Sequence, residues 1–343
     1  MKRNLNILSF FLSILFFIAS LSFSEEKVQY LKKVGEIKEG FSSERENFFI
    51  KITGLCCDDE GNLYVADSGW NKIFKFDSNG KFLMSFGREG QGPGEFMGQR
   101  RSNPLDITFG NDKRLYINDP GNSRISVFTK EGKFVRQYKV PPLTYDAPAV
   151  NSKGDIYLLS QSGIRVVDRY DSNFRYKASL LDIDLHYQFP YGKPLELDAP
   201  QPPIRKPIPL ECFKLITRDD KLVILSNNSL KIFIFDENDR KINEISVAEK
   251  EFVEDFKRIM NFLKRKKGVY FLPFIPFLDK DGNICLFYDG FNGERNEIYV
   301  YGINGKFQRK LKLNDNTEAG YIASNSKGEF YFASSIEIKI YKF

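Results

Sequence analysis

A short strand-turn-strand motif occurs six times along this chain of 343 residues. Its copies read DDEGNLYV, GNDKRLYI, NSKGDIYL, TRDDKLVI, DKDGNICL and NSKGEFYF, and their first apolar strand residues are Leu63, Leu115, Ile156, Leu222, Ile284 and Phe330. Successive copies are 52, 41, 66, 62 and 46 residues apart. A four-stranded propeller blade has a length in this range once loop insertions are allowed for. The repeat therefore predicts an all-β fold.

The six copies divide the chain into six repeated segments. Their approximate boundaries are 52–87, 104–140, 147–180, 212–247, 274–313 and 320–343. Each of the first five has room for four short strands, and dipeptides such as Asn79-Gly80 suit tight hairpins. The last has room for only three, so we expect residues 28–37, VQYLKKVGEI, to complete it. The prediction is a six-bladed β-propeller of four-stranded antiparallel blades, closed by its N-terminal strand so that no sheet edge is left exposed there.

The N-terminal residues 1–24 have the layout of a secretory signal peptide. Lys2 and Arg3 precede an uncharged apolar run at 5–23, and acidic residues follow at once. Because this run is nearly long enough to cross a bilayer, the alternative is that it is retained as a membrane anchor. In both cases we expect residues 25–343 to be exported, either to the periplasm or out of the cell.

The composition excludes several classes of protein. Loss of residues 1–24 removes two of the 51 basic residues and none of the 45 acidic ones, which leaves a net charge of +4. Such a mild charge predicts no nucleic-acid partner. The four cysteines, Cys56, Cys57, Cys212 and Cys285, lie in predicted strands, where we interpret them as small core residues, with one disulfide left open. We expect a monomer.

The first two segments resemble NHL repeats. The matching stretches are GNLYVAD at 61–67, GWNK at 69–72, the Phe76-Asp77 turn, Phe86-Gly87 with the Gly-rich tail at 89–96, LYIND at 115–119, GNSR at 121–124 and Phe128. In later segments the position of Asp67 is taken by Ser160, Ser226, Tyr288 and Ser334, while the strand pattern persists. The resemblance implies an exported bacterial six-bladed propeller of the NHL type, from a family that is mostly of unassigned function.

The long insertions share one face of the predicted propeller. Loops from the second to the third strand and from one blade to the next lie on the same face, and every long insertion is of these two kinds. The insertions are residues 38–50, 88–103, 182–211, 246–268 and 289–295. We call this side the loop face and predict that it is the binding surface.

The insertion at 246–268 is predicted to be an amphipathic helix. Ser246 and Glu249 form a capping box, and apolar residues follow at helical spacing from Phe252 to Leu263. We expect its apolar side to pack over the propeller, and the alternative is a lid or a helix that contacts a membrane. The Pro-rich stretch at 190–209 is expected to be an extended loop across the loop face.

No catalytic residues are predicted. His186 is the only histidine, so a zinc site with several His ligands has no ligand set, and no nucleophile motif lies near it. One enzymatic alternative is a calcium-dependent lactonase-like hydrolase that holds its metal with side-chain oxygens. The candidate metal ligands are Asp67, Asp119, Asn227 and Asn228.

A structural role competes with metal binding at Asp67 and Asp119. A carboxylate that precedes a turn accepts hydrogen bonds from the turn amides, and it can pair with Lys72 or Arg124 in the next strand. We favour this structural role.

Trp70 is the strongest candidate for a binding residue, because it is the only tryptophan and lies in a loop-face turn that is usually polar. The candidate binding residues are Trp70, Asn71, Arg88, Arg100, Arg101, Asn122 and Asp289. They suggest a protein, peptide or carbohydrate ligand. The predicted function is a binding or scaffold module without a cofactor. The second alternative is a membrane-associated assembly component that uses the helix at 246–268.

Overall fold

The structure is a computed structural model that describes residues 28–41, 47–98, 105–140, 146–159, 165–182, 213–218, 220–226, 231–247, 253–254, 275–289 and 295–343. These residues form an all-β propeller of five β-sheets. Alternating and continuous apolar runs specify the strands, and Gly, Asn and Asp residues specify the turns between them.

Four of the sheets contain four strands each, hydrogen-bonded in chain order. Blade one is β2(Ile52–Cys57), β3(Leu63–Asp67), β4(Lys72–Phe76) and β5(Phe82–Phe86), and blade two is β6(Asp106–Phe109), β7(Leu115–Asp119), β8(Arg124–Phe128) and β9(Phe134–Lys139). Blade three is β10(Ala149–Val150), β11(Ile156–Leu159), β12(Arg165–Tyr170) and β13(Tyr176–Asp182), and blade four is β14(Phe213–Arg218), β15(Lys221–Ser226), β16(Lys231–Phe235) and β17(Lys241–Ser246).

The fifth sheet has eight strands and consists of two such units, which we call blades five and six. Blade five is β18(Ile275–Leu278), β19(Ile284–Tyr288), β20(Glu297–Tyr301) and β21(Phe307–Leu313). Blade six is β22(Tyr321–Ser324), β23(Phe330–Ala333), β24(Ile338–Lys342) and the N-terminal β1(Gln29–Ile37).

The N-terminal strand pairs with the last segment, as the three-strand count predicts. From Lys32 to Ile37, β1 lies antiparallel to β24, with a register shift between Lys33 and Gly35. The strand count does not predict a second pairing of β1. Residues 29–31 run parallel to β21, and this pairing joins blades five and six into one sheet.

The blades follow one another around a ring. The innermost strand of blade one, β2, contacts β6 of blade two and β22 of blade six. The Ile52 amide donates a hydrogen bond to the Ser335 carbonyl at 2.7 Å, so the last blade meets the first. Six clusters of buried apolar side chains each lie between two neighbouring blades. Because both sides of β3 and β7 are covered, every residue of these strands is buried.

The side opposite the loop face consists of tight hairpins with one repeated hydrogen-bond pattern. Asp58 Oδ1 accepts hydrogen bonds from the amides of Glu60 and Asn62. The same pattern occurs at Asp77, Asn151, Asp171, Asp236, Asp279 and Asn325. Gly61 has a φ of 86°, which explains a glycine at this turn position.

Some predicted elements lie outside the described residues. Of the helix predicted at 246–268, Val253 and Glu254 are helical, and Val253 packs against the core between blades four and five. The Pro-rich stretch at 190–209, Cys212 and His186 are not among the described residues. Within the part of the chain that the structure describes, no helix is both long enough and apolar enough to span a membrane.

The described cysteines behave as core residues. Cys56, Cys57 and Cys285 are free thiols, and burial raises the pKa of each. Cys56 belongs to the core between blades one and two, whereas Cys57 packs against the core between blades six and one. Their side chains thus point to opposite faces of β2, as adjacent strand positions require.

Candidate functional site

Asp67 organises the loop face of blade one. It is the last residue of β3, and its carboxylate is fully buried. Its Oδ2 accepts a hydrogen bond from the Ile50 amide at 2.8 Å, and its Oδ1 accepts from the Lys51 amide at 3.1 Å. Oδ1 also accepts from the amides of Gly69 and Trp70, at 2.7 and 3.1 Å. One carboxylate therefore ties the segment that enters blade one to the turn that carries Trp70.

Asp119 has the corresponding place in blade two. Its carboxylate is also fully buried. It accepts hydrogen bonds from the backbone amide of Met97 at 3.0 Å and from the side-chain amide of Asn122 at 2.6 Å. Nε of Arg124 lies 3.3 Å from Oδ2 of Asp119, so the predicted ion pair between these two residues is present. Burial raises the pKa of Asp119, and these donors oppose that rise.

The candidate amide residues also bond to the insertions. Asn71 is buried with a φ of 54°, and its Oδ1 accepts a hydrogen bond from the Gly98 amide at 2.7 Å. The side chain of Asn122 donates to the Gly90 carbonyl at 3.0 Å. Both side chains hold the segment 88–98 against the propeller.

The candidate metal ligands do not converge in the described residues. No group of three or more His, Cys, Asp or Glu side chains suited to a metal ion occurs within those residues. Asp67 and Asp119 belong to different blades, and protein donors occupy their oxygens. Asn227 and Asn228 lie outside the described residues.

Partly exposed apolar side chains lie beside Trp70 and in the loop of blade six that bonds to blade one. We call Phe48, Ile50, Trp70 and Ile336 the Trp70 patch. Phe48, Ile50 and Ile336 are 42%, 39% and 50% exposed, and Trp70 is partly buried. The Trp70 indole N–H donates to the Phe48 carbonyl at 2.9 Å, and the two rings meet edge to face at 5.4 Å.

Close contacts and backbone hydrogen bonds constrain the segments that carry the Trp70 patch. Ile50 lies so near Gly69 that a Cβ at Gly69 would be 2.3 Å from Ile50 Cγ2. The loop of blade six that carries Ile336 is joined to blade one through the Ser335 carbonyl and the Ile52 amide. The patch thus combines three chain segments that Asp67 and backbone hydrogen bonds hold in place.

Of the three arginine candidates, the structure describes Arg88. Arg88 is exposed and pairs with Glu95 at 2.8 Å, within the segment 88–98. A hydrogen bond from the Gly92 amide, together with Arg88, lowers the pKa of Glu95. Arg100 and Arg101 lie outside the described residues.

Asp289 belongs to blade five, two blades around the ring from Trp70. Burial raises its pKa, and the negative charge of Glu318 adds to this effect. No hydrogen bond or ion pair joins Asp289 to another candidate among the described residues.

A set of tyrosines on the hairpin side was not predicted from the sequence. The Tyr64 hydroxyl donates to the Lys130 carbonyl of the next blade at 3.0 Å. Tyr331 makes the same kind of bond to the Ser78 carbonyl at 3.1 Å, and Tyr157 bonds to Asp239 at 3.3 Å. The repeated Tyr in the second strand of the motif was the available signal. These residues join neighbouring blades.

Comparison with known proteins agrees with this architecture. A family model, DUF5128, described as a 6-bladed beta-propeller, matches residues 44–101. A putative exported protein from Bacteroides fragilis NCTC 9343 superimposes with a TM-score of 0.55 and 11% identity over 91% of this chain and 99% of that chain. A streptogramin B lyase structure gives a TM-score of 0.51 and 14% identity, over 90% of this chain and 86% of that chain.

A virginiamycin B lyase from Staphylococcus aureus is similar at the same level, with a TM-score of 0.50 and 13% identity over 90% of this chain and 88% of that chain. Because the sequence identities are only 11 to 14%, these similarities show the fold alone. The matches and the sheet topology together identify the chain as a β-propeller built from four-stranded antiparallel blades.

Proposed function

We propose that this chain is an exported six-bladed NHL-type propeller that serves as a binding module, with the Trp70 patch as its contact surface for a protein or peptide. The observation that carries the proposal is the exposed apolar patch on the loop face, formed by Phe48, Ile50, Trp70 and Ile336. Rigid, pre-organised aromatic and aliphatic groups bind with a small loss of conformational entropy.

The blade count and the NHL assignment have separate support. The eight-stranded sheet divides at the parallel pairing of β1 and β21, which yields six four-stranded units. In the two blades that resemble NHL repeats, Asp67 and Asp119 lie at equivalent turns. Each carboxylate accepts a hydrogen bond from a backbone amide of the insertion that precedes the blade. The apolar run at 5–23 between basic and acidic residues supports export.

The chemistry of the patch favours a ligand with apolar side chains. Ile50 and Ile336 offer no hydrogen-bonding groups, and the indole N–H of Trp70 already donates to Phe48. A carbohydrate needs polar partners at its hydroxyl groups, whereas an apolar peptide side chain needs only area and shape. The proposal therefore names a peptide or protein segment with an aliphatic or aromatic anchor. No described contact favours the calcium-dependent hydrolase.

A matched pair of isoleucines provides the test. Ile336 in the patch and Ile242 in β17 are both 50% exposed, so replacing either by Ser removes equal apolar area. Peptides would be selected from a random displayed library on the purified protein, and their affinities measured by titration of the fluorescence of Trp70, the only tryptophan. For Ile336→Ser we expect affinity to fall at least about fivefold, and for Ile242→Ser to stay unchanged.

Trp70→Ala extends the test, with affinity measured by calorimetry. We expect it to weaken binding by about 1 to 3 kcal/mol, as for a central aromatic anchor. Selected peptides that bind all three variants as tightly as the parent protein would show that the contact surface lies elsewhere.

A further inference from the structure

The outward side of β1 forms a basic surface where blades five and six meet. The parallel register places Tyr30 beside Lys312 of β21, and the antiparallel register places Lys32 opposite Lys342 of β24. Leu31 is buried in the core between these blades, so its neighbours Tyr30 and Lys32 point the other way. We call Tyr30, Lys32, Lys312 and Lys342 the β1 surface.

The positive charges of the β1 surface are not fully compensated. Lys32 and Lys342 are directly opposite each other on antiparallel strands, where like charges destabilise the pair. Lys342 lies 3.6 Å from Glu329, and Lys312 is the cross-strand partner of Glu297 on β20, whereas Lys32 forms no ion pair with any described residue. This arrangement lowers the stability of the fold slightly, and an external anionic partner would remove that cost.

The same strand exposes two side chains suited to a membrane interface. Tyr30 and Val34 are each 59% exposed, the highest values among the large apolar residues of the described chain. Tyrosine is enriched at the boundary of bilayer and water, because its ring is apolar and its hydroxyl is hydrated.

The position of β1 in the chain identifies the partner. The apolar run ends at residue 23, and β1 begins at Gln29. The five residues between them span at most about 18 Å when fully extended. This step rests on the proposed export of the chain: a retained apolar run would lie in the bilayer, and β1 would be the described strand nearest to it.

We propose that the β1 surface rests on an anionic phospholipid bilayer, with its lysines against the lipid headgroups and Tyr30 at the interface. Clustered lysines near a membrane surface are attracted to acidic lipids. None of these residues belongs to the Trp70 patch, so the loop face remains available to a ligand. This surface is also separate from the helix predicted at 246–268.

Lys32→Glu separates membrane binding from folding. In this variant a carboxylate would face Lys342, so a repulsive cross-strand pair becomes an attractive one and the thermal midpoint should not fall. Residues 25–343 contain every strand that the structure describes and can be tested without the apolar run. Their co-sedimentation with phosphatidylcholine vesicles, with and without phosphatidylglycerol, would be measured in low and high salt.

We expect binding that requires phosphatidylglycerol and disappears in high salt. Lys32→Glu should reduce it at least about fivefold, because one attraction is replaced by a repulsion. Lys139→Glu is the matched control, since Lys139 is an exposed lysine on β9, the outer strand of blade two. It should bind like the parent protein.

Three results would overturn the proposal. The first is equal binding by the parent protein and Lys32→Glu, and the second is an equal loss in Lys139→Glu, which would mean a nonspecific charge effect. The third is binding to soluble heparin that is as tight as binding to vesicles and equally sensitive to Lys32→Glu, which would mark a polyanion site and not a bilayer contact. Acetylation footprinting of the full chain in nanodiscs should show protection of Lys32 and Lys312 but not of Lys139.

Discussion

Replacement of Asp67 by Ala tests whether the loop face depends on one carboxylate. The four amide groups of Ile50, Lys51, Gly69 and Trp70 would lose their acceptor. Ile50 and Lys51 are exposed, so water can replace the acceptor for their amides. The two turn amides cannot be hydrated as easily, and at about 1.5 kcal/mol each the expected loss of unfolding free energy is about 3 kcal/mol.

The assay is urea denaturation followed by far-ultraviolet circular dichroism. Asp77→Ala is the matched control, because Asp77 accepts amide hydrogen bonds at an exposed hairpin of the same blade, and its loss should cost about 1 kcal/mol. The emission of Trp70 in native Asp67→Ala should shift to the red, because the turn that holds the indole is released.

A loss of less than about 1 kcal/mol in Asp67→Ala would refute the structural role, because surface substitutions without such contacts have effects of that size. Loss of tightly bound calcium from the variant, with its stability unchanged, would instead support the calcium-dependent hydrolase. Metal analysis of the parent protein and the variant distinguishes these outcomes.

Three further predictions follow from the structure. Deletion of residues 25–37 removes β1 and exposes the edges of β21 and β24, so the thermal midpoint should fall strongly and aggregation should rise in light scattering; an unchanged midpoint would contradict closure by β1. Tyr331→Phe removes the bond to Ser78 across the junction of blades six and one and should cost about 1 to 2 kcal/mol in urea denaturation, whereas Tyr176→Phe, at an exposed tyrosine, should cost less. Glu95 has a pKa lowered by a backbone amide and an arginine, so its stabilising effect is present above about pH 4.3, the ordinary glutamate value, and is lost as pH falls through the lower folded value. The thermal midpoint of Glu95→Gln should thus be below that of the parent protein at neutral pH, and the two should converge in acid; a constant difference would count against this pairing.

Part of the candidate site could be predicted from local sequence. The equivalence of Asp67 and Asp119 in two aligned repeats predicted that both carboxylates bind turn amides. Asp67 accepts from the amides of Gly69 and Trp70, whereas Asp119 accepts from the Met97 amide of the insertion and from the Asn122 side chain. The pairing of Asp119 with Arg124 could also be predicted, because the two residues are cross-strand partners at the ends of adjacent strands. Asn71 was a weaker prediction, since its partner Gly98 lies in a loop whose path has no periodic signal.

The rest of the site depends on segments that are distant in sequence. Ile336 follows Trp70 by 266 positions, yet the loop that carries Ile336 reaches blade one, because the Ser335 carbonyl accepts a hydrogen bond from the Ile52 amide. Phe48 could not be predicted as a site residue. The position of the insertion that contains it depends on hydrogen bonds to Asp67 and from the Trp70 indole, and its own sequence carries no periodic signal. The Tyr64 and Tyr331 hydroxyls likewise reach hairpins of the next blade.

The sequence alone determined which residues form strands, which turns are tight, and that the N-terminal strand completes the last segment. These features are local. Side chains alternate along a strand, Gly and Asp residues determine the turns, and the last segment has room for only three of the four strands of a blade. Only the tertiary structure decided that β1 also pairs with β21, that an apolar patch forms at the junction of blades one and six, and which lysines meet around Tyr30. Hydrophobic pattern specifies the face that a strand buries, but the partner across a junction depends on how the whole ring closes.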